Sequence, residues 1–95
     1  MNKYEAMCII KPDLAEQDKK ILLDTINDAV TKRQGAILSS QIWAEKKKMY
    51  FPIQKFREGT YYLFNFTTAP EMIKEMKHAY KLNENILRVL ITRLP

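Results

Sequence analysis

The hydrophobic positions of the chain fall into stretches of two periods. Lys3 to Lys11 carries a short apolar run, Tyr4, Met7, Cys8, Ile9 and Ile10, closed by Pro12. A nearly continuous run of this length predicts a central strand, covered on both faces or nearly so. Asp13 is placed to cap a helix, with Glu16 three residues on as its capping-box partner. The helix is expected over Leu14 to Arg33. Leu14, Ile21, Leu22, Thr25, Ile26, Ala29 and Val30 recur at helical spacing as its inner face, and Asp18 is the one misfit. Gly35 is the expected C-terminal stop.

From Ala36 to Pro52 the pattern is β-like but irregular. Leu38, Ile42 and Tyr50 share one parity and Ile37, Trp43 and Met49 the other, which predicts a bulge or bend between Ala44 and Lys48. Phe56 to Gly59 reads as the turn of a hairpin. Thr60 to Thr68 is almost entirely β-forming residues and is the strongest strand signal in the chain. Pro70 suits a first helical position. Met72, Ile73, Met76, Ala79 and Tyr80 then space out along one helix face, which Asn83 or Asn85 ends. Ile86 to Arg93 alternates as a last strand, with Leu87, Val89 and Ile91 opposite Arg88, Leu90 and Thr92.

Strand, helix, strand, strand, helix, strand is the order of the split βαβ, ferredoxin-like α+β fold. Right-handed crossovers let each βαβ unit leave a gap that the other fills. The expected sheet is antiparallel and four-stranded, in order 4-1-3-2, with both helices on one face and the other face open unless a partner covers it. A chain of 95 residues is expected to form a single domain over residues 1–95.

Composition narrows the function classes. Apolar residues are 46% and charged residues 28%, ordinary for a folded domain and unlike a disordered or collagen-like chain. Cys8 is the one cysteine, so neither an internal disulfide nor a cysteine-rich metal site is expected, and a reducing, cytosol-like compartment fits. No apolar run is long enough for a transmembrane helix, and Glu5 and Asp13 bracket too short a run for a signal peptide. No membrane association is expected.

The net charge is +5, and it is lopsided. Met1 to Ala44 holds six bases and six acids, whereas Glu45 to Pro95 holds ten bases and five acids. An excess confined to one half suggests a polyanionic partner, most often nucleic acid. The sharpest local feature is Lys46-Lys47-Lys48, followed by Met49-Tyr50-Phe51-Pro52-Ile53. Three lysines in a row either keep an edge strand soluble or contact phosphates as flexible point charges that release counterions. Arg88 and Arg93 add charge from the last strand, and Lys3 from the first.

Candidate chemistry is sparse. His78 is the one histidine, beside Lys77 and with no cysteine near it in sequence, and it reads as an inert helix residue. Cys8 reads as a buried structural thiol. Cys8-Ile9-Ile10-Lys11-Pro12-Asp13 is shared in part with nucleoside diphosphate kinases, which have a strand ending in Ile-Lys-Pro-Asp. Such a kinase needs a histidine in an Asn-x-x-His-Gly loop, whereas His78 lies in Met-Lys-His-Ala-Tyr. An RNA-recognition motif shares the topology. Its third-strand signature fits Glu58 to Asn65 poorly, with Gly59, Tyr62 and Leu63 matching and Glu58, Thr60, Tyr61 and Asn65 not. No catalytic, cofactor or metal residue, and no small-molecule substrate, is expected.

From Lys3 to Arg93 the chain resembles the bacterial ribosomal protein S6 family. The resemblance is carried by Lys3-Tyr4-Glu5 and Pro12-Asp13-Leu14, by Gly35-Ala36, and by Lys47-Lys48-Met49-Tyr50-Phe51-Pro52-Ile53. Gly59 with Tyr61, Tyr62 and Phe64, and Arg88-Val89-Leu90-Ile91-Thr92-Arg93, complete it. The order and spacing of these pieces are specific, although no single piece is. The resemblance implies a ferredoxin-like fold and a structural role on the small ribosomal subunit. It further implies binding to the central domain of small-subunit, 16S-type rRNA as a heterodimer with ribosomal protein S18. Lys3, Lys46, Lys47, Lys48, Arg88 and Arg93 are then the expected RNA-contacting bases, working through phosphate and shape. Tyr50 or Phe51 either stacks near the RNA or packs in the core.

Three departures bear on these expectations. Asn2 stands where a basic residue is common, Phe51 replaces the tyrosine before the proline, and the sequence stops at Pro95 where many relatives carry a tail that touches the protein partner. The partner surface is therefore expected on the edge strand, at Ile37, Gln41 and Trp43. Trp43 is an interface anchor if exposed and a core residue if not. A cytoplasmic ribosome is the expected location, with an organellar ribosome the alternative. The alternative reading is a small regulatory or ligand-binding module that dimerises through its open sheet face.

Overall fold

In the computed structural model, which describes residues 1–95, the alternation of Thr60 to Thr68 becomes a separation of faces. Thr60, Tyr62, Phe64, Phe66 and Thr68 are buried, whereas Tyr61, Leu63, Asn65 and Thr67 are only partly covered. These residues belong to the third of four strands. The chain runs β1 (Asn2–Ile10), α1 (Glu16–Thr31), β2 (Ala36–Ile53), β3 (Phe56–Thr68), α2 (Met72–Lys81) and β4 (Ile86–Arg93). The strands form one antiparallel sheet in the order β2-β3-β1-β4, the expected 4-1-3-2 order read from the other edge. The fold is ferredoxin-like.

Both helices lie on the face that β3 buries. Leu22, Ile26 and Val30 of α1 and Met76 and Tyr80 of α2 join Tyr4, Ala6, Cys8, Ile10, Tyr62, Phe64, Phe66 and Ile86 in one core. Four rings run through it in sequence. Tyr4 meets Phe66 at 5.5 Å, Phe66 meets Phe64 at 5.5 Å and Phe64 meets Tyr62 at 5.4 Å between centroids. Offset pairs at these distances each add about 0.5–1.5 kcal/mol beyond the burial itself. Two hydroxyls fasten α1 to its neighbours: Tyr62 Oη donates to Asn27 Oδ1 and Tyr80 Oη to the Ile26 carbonyl, each at 2.8 Å.

Four local expectations are corrected. Asp13 does not cap α1. It lies in a turn with Pro12, the helix starts at Glu16, and Ala15 precedes it with no side-chain cap. The buried face of α1 is also rotated: Ile21 and Thr25 are exposed, while Leu23 joins Leu14 and Ala29 against the core. Gly35 is not the left-handed residue at the helix end. Gln34 takes that conformation (φ 60°), with the Gly35 and Gln34 amides donating to the Val30 and Thr31 carbonyls in a Schellman arrangement. Gly35 is instead required by a close approach, since a Cβ there would stand 2.7 Å from both Thr67 O and Val30 Cγ1. Finally β1, although central, is completely covered on one face only: on the other Ile9 is buried, but Glu5 and Met7 are partly exposed and Lys3 is exposed.

The hairpin turn is also displaced from its expected place. It is made by Gln54 and Lys55, both at positive φ (50° and 75°), between the paired residues Ile53 and Phe56. A two-residue turn with both central residues left-handed matches the twist of antiparallel strands and usually draws Asn-Gly. Gln-Lys carries no such signal, so composition pointed to Gly59 instead. The predicted irregularity of β2 is present. Register shifts fall between Ile42 and Ala44 and between Ala44 and Lys47, and Lys46 sits at φ 48°.

Candidate nucleic-acid interface

The lengths of the strands create the site. Pairing between β1 and β3 ends at Ile10 opposite Thr60, but β2 and β3 continue past it through Lys47–Gly59, Lys48–Glu58 and Ile53–Phe56. Residues 46–59 therefore project from the sheet as a two-stranded arm. The arm holds Lys46, Lys47, Lys48, Lys55 and Arg57 against the single acid Glu58. At its far end Tyr50 is 98% exposed and Phe51 76% exposed, their ring centroids 5.9 Å apart. Neither ring is in the core.

The bulge at Lys46 is held by its own backbone amide, which donates to Thr60 Oγ1 at 3.4 Å. Beyond it the strand alternates again. Lys47 pairs with Gly59 and takes the side of Tyr61, the open side of the sheet, whereas Lys48 pairs with Glu58 on the other side. Lys47 Nζ lies 4.1 Å from the Trp43 ring centroid and 5.6 Å from that of Tyr61. The two rings meet edge to face at 5.7 Å. Trp43 is half exposed, so it is not a core residue.

Register arranges the open face in rows across the strands. Arg88, Ile9, Tyr61 and the Trp43-Ala44 bulge form one row, and Leu90, Met7, Leu63 and Gln41 form the next. Lys3 faces the same side, but opposite Thr67 near the other end of β1, about 20 Å from Ile9 along the strand. Arg93 pairs with Tyr4 and so belongs to the helix side, also at that far end. The expected bases thus divide into two groups. Lys46, Lys47, Lys48 and Arg88 lie toward the arm, as does Tyr50, and Lys3 and Arg93 lie at the opposite end of the strands. Of the expected partner-surface residues, Gln41 and Trp43 are exposed on the open face, whereas Ile37 pairs with Phe66 and packs half-buried against the core.

Sequence reasoning passed over Tyr61, Lys55 and Arg57. Tyr61 was legible from parity, because it alternates with the buried Tyr62, Phe64 and Phe66. Lys55 and Arg57 were hidden by the misplaced turn.

At the base of the arm a cleft of about 340 Å³ is lined by Lys11, Asp13, Glu16, Lys19, Glu45 and Lys46 among others. Three of its charges pair with one another: Lys19 Nζ reaches Glu16 at 3.1 Å and also binds Glu45. The hydrogen bond from Lys19 holds the Glu45 carboxyl below its ordinary range, and the bonds to Glu45 and Glu16 raise the Lys19 ammonium. Elsewhere, Cys8 is fully buried and desolvation pushes its thiol up to about 12, so no thiolate forms near neutrality. His78 is exposed on α2. Among residues 1–95 no three His, Cys, Asp or Glu side chains gather as metal ligands, and no helix is long and apolar enough to cross a membrane.

The model of the family described as ribosomal protein S6 matches residues 3–93. The small ribosomal subunit protein bS6 of Caldanaerobacter subterraneus subsp. tengcongensis is 37% identical over 93 residues, covering 98% of this chain and 97% of its own. The same protein of Dictyoglomus turgidum is 36% identical over 94 residues, covering 99% and 96%. The crystal structure of 30S ribosomal protein S6 from Thermotoga maritima superposes with a TM-score of 0.88 at 25% identity, covering 98% of this chain and 87% of that one.

Proposed function

The chain belongs to the ribosomal protein S6 family, and on that premise we propose that it is a structural, non-catalytic component of the small ribosomal subunit. In this reading it binds the central domain of 16S-type rRNA together with ribosomal protein S18. The observation that carries the reading is the arm: five bases and one acid on residues 46–59, extending past the sheet with two uncovered rings at its tip. A concave, shaped pocket is what a small-molecule site needs, and in the cleft at the base of the arm Lys19, Glu16 and Glu45 are already paired with one another. A cationic projection needs only an extended polyanion. Arg88 continues the positive charge onto the open face, and Lys3 and Arg93 supply further phosphate contacts at the opposite end of the strands, one on each face.

The second partner is assigned to the β2 edge. β2 is a terminal strand of the sheet, and its outer backbone is free to pair with another chain. Gln41 is exposed beside Leu63 and opens onto the apolar row of Met7 and Leu90, a surface that a protein covers better than RNA does. The same row favours self-association in the alternative, dimeric reading. The chain acts where its ribosome is, which for a bacterial-type protein is the cytoplasm.

The test is a gel-shift titration on a central-domain fragment of small-subunit rRNA, with and without ribosomal protein S18. Binding that appears only with the partner, and weakens when Lys47 and Lys48 become alanine, is the expected result. Binding indifferent to both partner and substitutions reduces the role to non-specific attraction. A stable homodimer with no RNA binding favours the dimeric module.

A further inference from the structure

The Trp43–Tyr61 pair is the one aromatic cluster on the open face of the sheet. The other paired rings lie in the core or at the tip of the arm. The two rings stand at 65° to each other, so they form a corner rather than a closed stack, and Trp43 keeps 52% of its surface exposed. A cation caps the corner, since Lys47 Nζ lies within 6 Å of both centroids. Arg88 flanks the same row from the other side, opposite Ile9, which pairs with Tyr61. Two strand spacings, about 10 Å, separate it from Tyr61.

We propose that this corner seats one unpaired nucleobase of the bound RNA, with Lys47 and Arg88 on its phosphates. The inference deepens the RNA-binding reading and rests on it. Two physical points carry it. A ring at the surface of a sheet, next to cations, offers stacking to a base and charge to its backbone at once, which is how single-stranded RNA is held on sheets. A duplex cannot use it, because its bases are already stacked and its major groove is too narrow to admit side chains. The flanking charges also decide between occupants. The corner has positive side chains on two sides, Lys47 over its rings and Arg88 at the β4 end of its row, while the neighbouring row of Leu90, Met7 and Leu63 has none. Phosphates favour the first row and a protein surface the second. Lys47 is not fixed in place by an acid: none of the ion pairs in the molecule includes it. It is free to exchange the rings for a phosphate oxygen while a base takes its position.

Trp43 is the only tryptophan in the chain, so its fluorescence reports the corner directly. The full chain is titrated at fixed moderate salt with a single-stranded oligoadenylate and with an RNA duplex of equal phosphate count. The expected result is saturable quenching by the single strand and little by the duplex. Tyr61→Leu weakens the single-strand affinity about tenfold, and Lys47→Gln weakens it and lowers its salt dependence. Tyr61→Leu keeps an apolar strand residue, and circular dichroism confirms that each variant is folded. Equal quenching by both RNAs, or no quenching by either, overturns the inference. Quenching by the partner protein with none by the oligonucleotide overturns it as well and gives the corner to that partner. If central-domain rRNA still binds in a Lys47-dependent way while Trp43 stays unquenched, the stacking inference fails and the RNA-binding reading stands. If rRNA binding is absent too, both fail.

Discussion

The phenol of Tyr80 donates to the main-chain carbonyl of Ile26 at 2.8 Å, joining α2 to α1 across 54 positions of sequence. Both residues are buried, and burial raises the Tyr80 hydroxyl above its ordinary range. The bond fixes the spacing of the two helices over the aromatic ladder. Tyr80→Phe is expected to cost about 0.5–1.5 kcal/mol, read as a lower midpoint in urea with an unchanged slope, and to leave RNA affinity alone. A loss of RNA binding in a folded Tyr80→Phe variant contradicts the separation of core from interface.

Cys8 gives the stability a defined alkaline limit. Its thiol is held at about 12 in the fold against 9.0 in the open chain. A group whose folded value is raised lets the unfolded state lose its proton first, so stability is intact below about pH 9 and falls as pH rises above it. The slope reaches about 1.4 kcal/mol per pH unit from this residue, and Tyr80 adds to it above 10.0, its open-chain value. Denaturation curves between pH 8 and 11 check this, with Cys8→Ala expected to flatten the lower part of the decline. Folded protein is also expected to resist thiol reagents that label it rapidly in denaturant.

The left-handed residues at the helix end and the hairpin are open to improvement. Gln34 and Lys55 hold φ of 60° and 75°, where a side chain is strained and glycine is not. Gln34→Gly and Lys55→Gly are each expected to stabilise by about 0.5–1 kcal/mol. Gly35→Ala is expected to do the opposite, because its new Cβ meets the Thr67 carbonyl as well as Val30. It costs about 1–3 kcal/mol. Thermal melts of the three variants rank them, and a neutral Gly35→Ala shows that the strand and helix yield there.

Salt dependence tests the arm. Each lysine that neutralises a phosphate contributes about 0.9 to the slope of log affinity against log salt. Lys47→Ala with Lys48→Ala is expected to lower that slope by about 2 on duplex-containing rRNA. Replacing Lys74 and Lys77, exposed on α2, is expected to leave it unchanged. An equal fall from either pair points to charge without a site.

The order of elements was written in the sequence because each signal was local. The alternation in β3, the helical spacing of Met72, Ile73, Met76 and Tyr80, and the parity switch of β2 all arise from a chain that buries one side. Their order also implied the sheet topology, through the handedness of βαβ crossovers. The ordered motifs likewise point to the ribosomal protein S6 family. Signals that depend on backbone strain were misread. Gln34, Gln54 and Lys55 adopt left-handed φ without the glycine or asparagine that advertises it, so the helix stop and the turn were assigned to nearby glycines. Ala15 starts a helix uncapped while Asp13 stands two positions too early.

What only the tertiary structure decided is which residues stand beside each other across strands. Lys3 lies about 20 Å from Arg88, because the register of β1 against β4 sets Arg88 opposite Ile9, six positions along β1 from Lys3. Lys47 meets Trp43 and Tyr61 because a bulge at Lys46 resets the parity of β2. A bulge adds one residue to one strand and nothing to the other, so its effect on neighbours cannot be read from either strand alone. Composition determined that the chain is cationic and half-apolar, and periodicity determined its elements. The pairing of strands, which is a relation between distant segments, decided that the charge and the exposed rings share one surface.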